Sequence, residues 1–392
     1  MTKLYLIRHA EAEGNLYRRI HGQYNSLITN NGYRQIKALE ERFRDIPVDA
    51  VYSSDLFRTM TTAQAITRPK GLELHTRADL REINMGDWED HTFAYIARRD
   101  KEQMDLFTQT SPLFQAPNGE SFPEVRRRGM AAILDIAARH DGQTVAVFAH
   151  GTLIRNTLAE IMGLGVKDAA KVGHSDNTAV TLLEIENGKI RIVFADDNSH
   201  LTPEISTLAW QHWWNKDSKQ VDINLWFRSA DLDTEEDRNF YLAAREEAWV
   251  NLYGKTDDRY NGQAFLDDAA SAWRKNPRSL TLAMQGGRPV GLLQLDPDRA
   301  AGEKKGYIAF FYLGPESRGL GLGIQVLGKA VSVYRPMGRD TLQLACSQKN
   351  ETALRFYEHY GFQVTGDVPG AYGSLYQMEK PIGYDNQGEL LL

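Results

Sequence analysis

The chain has 392 residues, 46 basic against 52 acidic side chains, a formal charge of -6 and a single cysteine, Cys346. That length asks for two domains or more, while the mild and mixed charge argues against a nucleic-acid or anionic-membrane partner. One thiol excludes an internal disulfide and makes a thiolate metal site implausible. No stretch has the length and apolarity of a membrane span, and the start lacks a secretion signal, so a cytoplasmic protein is expected.

In chain order, Leu4 to Ile7 is a strand-like run that stops at Arg8-His9. Residues 30–44 carry Tyr33, Ile36, Leu39 and Phe43 on one helical stripe, and residues 50–54 read as a strand followed by a helix over 55–66 containing Arg58. A second apolar strand, Val145 to Ala149, stops at His150-Gly151 and passes into a helix over 152–162 that ends at Gly163. Residues 179–185 and 190–195 flank Asn187-Gly188, a hairpin signal. Strands that end abruptly before helices predict a parallel α/β sheet with a ligand crevice at its carboxyl ends, so His9 and His150 should face one cleft.

The alternation stops near Leu201. Residues 202–220, with Pro203, Trp210, Trp213 and Trp214, read as a Trp-rich connector whose rings pack on one helical face, a more ordinary use than a stacking platform. The expected domains are therefore 1–201 and 221–392. In the second, 222–228, 280–284, 290–295 and 307–313 read as strands, 234–253 and 263–275 as amphipathic helices, and 324–334 as a helix after a glycine-rich turn.

The first half holds the parts that phosphoryl transfer needs: a nucleophile, cations for the equatorial oxygens and an acid for the leaving oxygen. A neutral imidazole such as His9 is a competent nucleophile near pH 7. Arg8 and Arg58 offer planar forks suited to phosphate, His150 adds a donor, and fixed cations would do the work of a metal, so none is expected. Taken singly, a strand-end histidine or a helical arginine is an ordinary structural group; together they read as a site.

Arg8-His9-Ala10-Glu11 with Asn15, then Ser53-Ser54-Asp55-Leu56-Phe57-Arg58-Thr59, then Leu80-Arg81-Glu82-Ile83, then His150-Gly151 resemble, in order, the histidine phosphatase (phosphoglycerate mutase-like) superfamily. The resemblance implies a three-layer α/β/α domain, a phosphohistidine on His9 and substrate contacts at Asn15 and Gly151. It makes Glu82 the proton donor, a role that needs its proton still in place when the ester oxygen departs. The run from Arg81 to Glu89 resembles the phosphatase branch, so water should accept the phosphoryl group. Asn118-Gly119-Glu120-Ser121 resembles a substrate-side loop. Where the family usually carries glutamine this chain has His21, and Asn25-Ser26-Leu27-Ile28-Thr29 also departs from the pattern, which points to an unusual small phosphate ester.

In the second half the apolar run ending at Leu313 leads to Arg318-Gly319-Leu320-Gly321-Leu322-Gly323 at a helix start, where bare amides suit a pyrophosphate. This turn, with Asn350 opening a helix that carries Phe356-Tyr357 and ends near Gly361-Phe362, resembles the GNAT acetyltransferases. The resemblance implies an α+β domain with a mixed, mostly antiparallel sheet, with acetyl-CoA or another acyl-CoA as cosubstrate and an amine as acceptor. Leu313, Arg318, Gly319, Leu320, Gly321, Gly323 and Asn350 would line the cofactor, and Tyr357 would protonate the CoA thiolate. Glu316 is a weak candidate for the base. A Rossmann site is the rival, with Asp340 as its ribose acid, but the third glycine is displaced by one and too little chain follows. The reading is thus a fused phosphomonoesterase and N-acyltransferase; the alternatives are a phosphatase with a CoA-sensing module, or a mutase-like first half.

Overall fold

The computed structural model describes residues 1–210 and 224–384, without the side chain of Trp210. The chain divides into two compact units, Met1–Lys219 and Gln220–Leu392.

In the first unit the strands are β1 (Thr2–Arg8), β2 (Ala50–Ser53), β3 (Leu74–Thr76), β4 (Thr144–Ala149), β5 (Val180–Glu186) and β6 (Lys189–Asp197). They form one sheet in the order β3-β2-β4-β1-β5-β6. β1, β2, β3 and β4 run parallel, with Arg8 opposite Ala149, whereas β5 and β6 close the edge antiparallel. The register puts the ends of β1 and β4 side by side, so His9 and His150 emerge together. Asn187 and Gly188 both have positive φ, 51° and 74°, the geometry of a hairpin turn that glycine and asparagine tolerate best.

The helices are α1 (Glu13–Tyr17), α2 (Asn30–Phe43), α3 (Phe57–Lys70), α4 (Phe93–Arg99), α5 (Lys101–Thr108), α6 (Phe122–Arg139), α7 (Gly151–Ile161) and the short α8 (Thr207–Trp210). One core, including Leu4, Leu6, Val145, Val147, Ile133 and Leu153, holds α6 and α7. A second, with Ile7, Val51, Phe148, Leu39 and Ile66, holds α2 and α3, giving three layers. The helix expected over 55–66 begins two residues later. Leu56 donates to Ser54 Oγ at 3.3 Å, and Asn25 Oδ1 accepts from the Phe57 amide at 2.7 Å.

The second unit has β7 (Trp226–Ser229), α9 (Glu235–Tyr253), α10 (Gly262–Lys275), β8 (Leu280–Gln285), β9 (Arg288–Asp296), β10 (Lys305–Leu313), α11 (Gly323–Tyr334), β11 (Thr341–Ser347), α12 (Glu351–His359), β12 (Gln363–Gly370) and β13 (Gly373–Pro381). The sheet order is β12-β13-β11-β10-β9-β8-β7, antiparallel except where β10 meets β11. That parallel pairing covers only Lys305 to Ile308, although both strands continue to Leu313 and Ser347. The two strands therefore part into a V. Opposite β9, the register shifts between Ile308 and Phe310, a bulge at Ala309 beside the opening.

Part of the stretch read as a connector is anchored in the first unit. Gln35 Nε2 donates to the Ile205 carbonyl at 2.7 Å and to Thr207 Oγ1 at 2.9 Å, and Asp176 accepts from Ser206 Oγ at 2.6 Å. Trp213, Trp214 and the Trp210 side chain, on which the shared aromatic face was expected, lie outside the described residues. Among the described residues no helix is long and apolar enough to cross a membrane.

Candidate active sites

His9 follows β1, where Nδ1 lies 2.7 Å from the Ala10 carbonyl. A carbonyl only accepts, so the proton sits on Nδ1 and the Nε2 lone pair is left available. Burial first, then the charges of Arg58 and Arg8, holds the His9 ring well below the usual imidazole range, so it is neutral at physiological pH. His21 lies within electrostatic reach. The loop behind His9 is braced by Asn177, whose Nδ2 donates to the His9 carbonyl at 2.8 Å.

Around that ring stand the other first-half candidates. The His150 ring lies 5.2 Å from the His9 ring, centroid to centroid, and its Nε2 is 2.7 Å from Ser54 Oγ. Its buried Nδ1 has no hydrogen-bond partner among the described residues. Burial and Arg58 push its pKa down as well. Arg8 Nη1 donates to the Ser175 carbonyl while its buried Nε has no partner among the described residues. A Cβ at Gly151 would make an ordinary contact with Arg8 Nε, at 3.4 Å.

Arg58, in the first turn of α3, is 3% exposed. Its Nη1 and Nη2 donate to the carbonyls of Tyr24 at 3.0 Å and Gly22 at 2.7 Å. Burial brings it down to about 10, still charged at neutral pH. Glu82 meets the first turn of α7, where its carboxylate accepts from the amides of Thr152 at 3.0 Å and Leu153 at 3.1 Å, and from Ile83 at 3.0 Å. A helix N-terminus is a favourable seat for a carboxylate, so these amides fix where Glu82 stands rather than hold a proton on it. His9, Arg8, Arg58, Glu82 and His150 are thus drawn from four separated segments into one electrostatic neighbourhood.

The remaining first-half candidates are placed differently. Asn15 sits in α1, where its Oδ1 accepts from the Ala12 amide at 3.1 Å. His21 is buried on Tyr24, with Nε2 4.0 Å from an Asp90 carboxylate oxygen that Arg19 pairs at 2.6 Å. Its ring fits because Gly14 has no side chain; a Cβ there would lie 2.6 Å from His21 Nδ1.

Sequence reasoning missed two groups. Glu89 accepts from the Gln23 amide at 2.7 Å and from the Met85 amide at 3.1 Å, fixing the loop whose carbonyls hold Arg58, and burial raises its carboxyl pKa. Arg155, one turn into α7, bonds His174, whose ring is pushed down to about 4 by partial burial and then by Arg155 and Arg8. A signal for Arg155 was available, since it follows Gly151 by one helical turn.

In the second unit the turn from Arg318 to Gly323 joins β10 to α11. Gly319 and Gly321 have φ of 74° and 72°, and nothing lies within 4 Å of where their Cβ atoms would be. Among the described residues the amides of Gly319, Leu320, Gly321, Leu322 and Gly323 donate to no backbone carbonyl, and α11 has no side-chain cap. Left-handed glycines, bare amides and a twelve-residue helix behind them fit a pyrophosphate. The Arg318 side chain is engaged within the protein: Nε donates to the Leu313 carbonyl at 2.8 Å and Nη2 pairs with Glu247 at 2.5 Å. Glu247 thus neutralises the charge that Arg318 brings to the turn.

Asn350 caps α12, its Oδ1 accepting from the Ala353 amide at 3.1 Å. Tyr357 is buried against Phe311, Phe356 and Phe362 beside Cys346, and burial raises the phenol well above its usual range, so it keeps its proton at neutral pH. Burial likewise pushes the Cys346 thiol up to about 12, leaving it an unreactive core group. Glu316 lies exposed after β10. The open V between β10 and β11 would take an extended pantetheine arm.

Comparison with known proteins finds a family for each half of the chain. The histidine phosphatase superfamily (branch 1) profile matches residues 4–198, and the acetyltransferase (GNAT) family profile matches residues 238–362. A probable phosphoglycerate mutase GpmB from Proteus mirabilis (strain HI4320) is 30% identical over 207 residues, 52% of this chain and 96% of that protein. Its namesake from Yersinia pestis (strain Pestoides F) is 32% identical over 164 residues, 42% of this chain and 76% of that one. Among solved structures, Bacillus stearothermophilus YhfR superposes with a TM-score of 0.50 at 30% identity, covering 51% of this chain and 99% of its own. The chain belongs to the histidine phosphatase superfamily through its first half and carries a GNAT acetyltransferase domain in its second.

Proposed function

We propose that the first unit hydrolyses a phosphomonoester in two steps. His9 Nε2 attacks phosphorus, the ester P–O bond breaks, and Glu82 gives its proton to the departing oxygen. Glu82, now a carboxylate, takes a proton from water, whose oxygen attacks the phosphohistidine and releases phosphate and free His9. Arg8, Arg58 and His150 neutralise the equatorial oxygens throughout. Asn15, His21 and Gly151 border the ester, and His21 tunes which ester enters. The observation that carries this reading is the His9 Nδ1 bond to the Ala10 carbonyl, which leaves Nε2 available in a ring that feels buried Arg58 and partly buried Arg8.

The second unit, in the same reading, transfers an acyl group from acyl-CoA to an amine. The amine nitrogen attacks the thioester carbonyl, the C–S bond breaks, Tyr357 protonates the thiolate, and the proton that the amine gives up to solvent water is matched by one that water returns to the Tyr357 phenolate. Gly319, Leu320, Gly321 and Gly323 hold the pyrophosphate by their amides, with Leu313 and Asn350 flanking the arm. The domains run 1–201 and 221–392, and the single thiol suits a reducing cytoplasm.

The names of the Proteus and Yersinia relatives favour a second reading for the first half, phosphoglycerate mutase-like phosphoryl transfer. The test is a metabolite panel on the full chain, on His9→Ala and on Gly321→Glu, scoring phosphate release, phosphoryl exchange and CoA release. Hydrolysis lost only in His9→Ala, with CoA release lost only in Gly321→Glu, is the expected result. Exchange between phosphate esters without net phosphate release would replace hydrolysis by the mutase reading. Acetyl-CoA binding without CoA release on any amine would leave the second half a sensor.

A further inference from the structure

Resting on the acyl-transfer reading, we propose that the acceptor amine carries a carboxylate, as an amino acid does, and that Arg245 holds it. A cleft of about 680 Å³ opens beside the bulge at Ala309, where β10 leaves β11, with α10 as its other wall. Arg245 projects from α9 into it and is clamped rather than solvated. Its guanidinium carbon lies 3.8 Å from the centre of the Phe310 ring and 4.7 Å from that of Phe265. Nε donates to the Tyr241 hydroxyl at 2.9 Å, and Nη2 donates to Gln294 Oε1 at 2.7 Å.

Those two bonds use two of five N–H donors, leaving Nη1 and one hydrogen of Nη2, an end-on fork that fits a carboxylate. Among the described residues no carboxylate makes an ion pair with Arg245; Asp268, the acid that acts on it, does so only at longer range. Aromatic faces and a neutral amide thus immobilise a cation without neutralising it, an arrangement that favours an incoming anion.

Three other basic side chains line the cleft: Lys275 lies 3.7 Å from Asp298 in an exposed pair, Arg339 Nη1 donates to the Ala301 carbonyl at 2.8 Å while its buried Nε has no partner among the described residues, and Arg299 stacks on Tyr307 at 3.7 Å. Exposed Asp268, lining the same cleft, offers the complementary charge for an ammonium.

The experiment is CoA release from acetyl-CoA by the full chain with each common L-amino acid and with its C-terminal amide. Free acids should exceed their amides at least tenfold in kcat/KM. Arg245→Gln should erase that ratio through KM while acetyl-CoA affinity, followed by calorimetry, stays unchanged, and Arg245→Lys should restore part of it. Equal rates for acids and amides, or an unchanged ratio in Arg245→Gln, would overturn the assignment. Bound acetyl-CoA with no CoA release on any amine would instead overturn acyl transfer itself, and the acceptor with it.

Discussion

In the function proposed above, the two regions hold anions by opposite means. In the first, charged side chains from three segments converge, and each is fixed by backbone carbonyls or amides: Arg58 by Gly22 and Tyr24, Arg8 by Ser175, Glu82 by Thr152 and Leu153. In the second, one contiguous turn offers amides alone, and its side chains are absent or, like Arg318, tied elsewhere. A site of side chains fails when a side chain is cut short; a site of amides fails when one is added.

The sharpest way to break the comparison is His9→Ala. Removing the nucleophile should cost about a thousandfold or more in phosphate release, by analogy with other covalent catalysts, while acetyl-CoA binding stays intact. Loss of both would mean that the regions do not act independently. Next comes Glu82→Gln. Alkyl esters, whose leaving oxygen needs a proton, should slow by about a hundredfold or more, the usual worth of an acid catalyst. Activated aryl phosphates should slow far less, and equal slowing would remove the acid from Glu82.

Gly321→Glu addresses the amide site. At φ of 72° a side chain is strained whatever the space, and its carboxylate would meet the pyrophosphate. Acetyl-CoA affinity should fall by about a hundredfold, since like charges in contact cost several kcal/mol. Retained affinity in a calorimetric titration would refute the cradle.

Sequence reading reached one kind of feature and not the other. His9 and His150 were legible because each ends an apolar strand, and parallel pairing of β1 with β4 places those ends together. The glycine turn was legible because only glycine tolerates its backbone. Glu89, Asp176 and Asn177 were not, since each acts by holding backbone atoms far away in sequence, and such contacts leave no local pattern. Asp176 shows the reach of the problem: its carboxylate accepts from the Asn177 amide at 2.8 Å, Asn198 at 3.1 Å, Ser206 at 2.6 Å and the Leu208 amide at 3.2 Å. It thereby ties residues 198–208 beneath the His9 loop, although those residues read as the tail of one domain and the start of a connector. β12 and β13 and the long α6 also went unread.

The smallest effect concerns acid, through the histidines of the first region. Its rings at His9, His150, His174 and His200 are all held below the usual imidazole range, chiefly by burial and then by arginines. Each stays neutral in the folded state at pH values where the unfolded chain takes up a proton, near pH 6.5 and below. Because the unfolded state then binds more protons, stability is full above about pH 6.5 and falls as pH drops toward the folded pKa, at about 1.4 kcal/mol per unit for each such ring. His200, pushed down to about 4 by burial and Arg42, lies outside the proposed machinery and bonds Thr178 Oγ1 at 3.0 Å through Nε2. Urea unfolding at pH 7.5 and pH 5 should therefore show His200→Asn losing up to about 2 kcal/mol less than the parent over that interval. Equal losses in the two proteins would mean that His200 titrates alike folded and unfolded, and the acid sensitivity of this region would have to come from its other groups, His9, His150 and His174 among them.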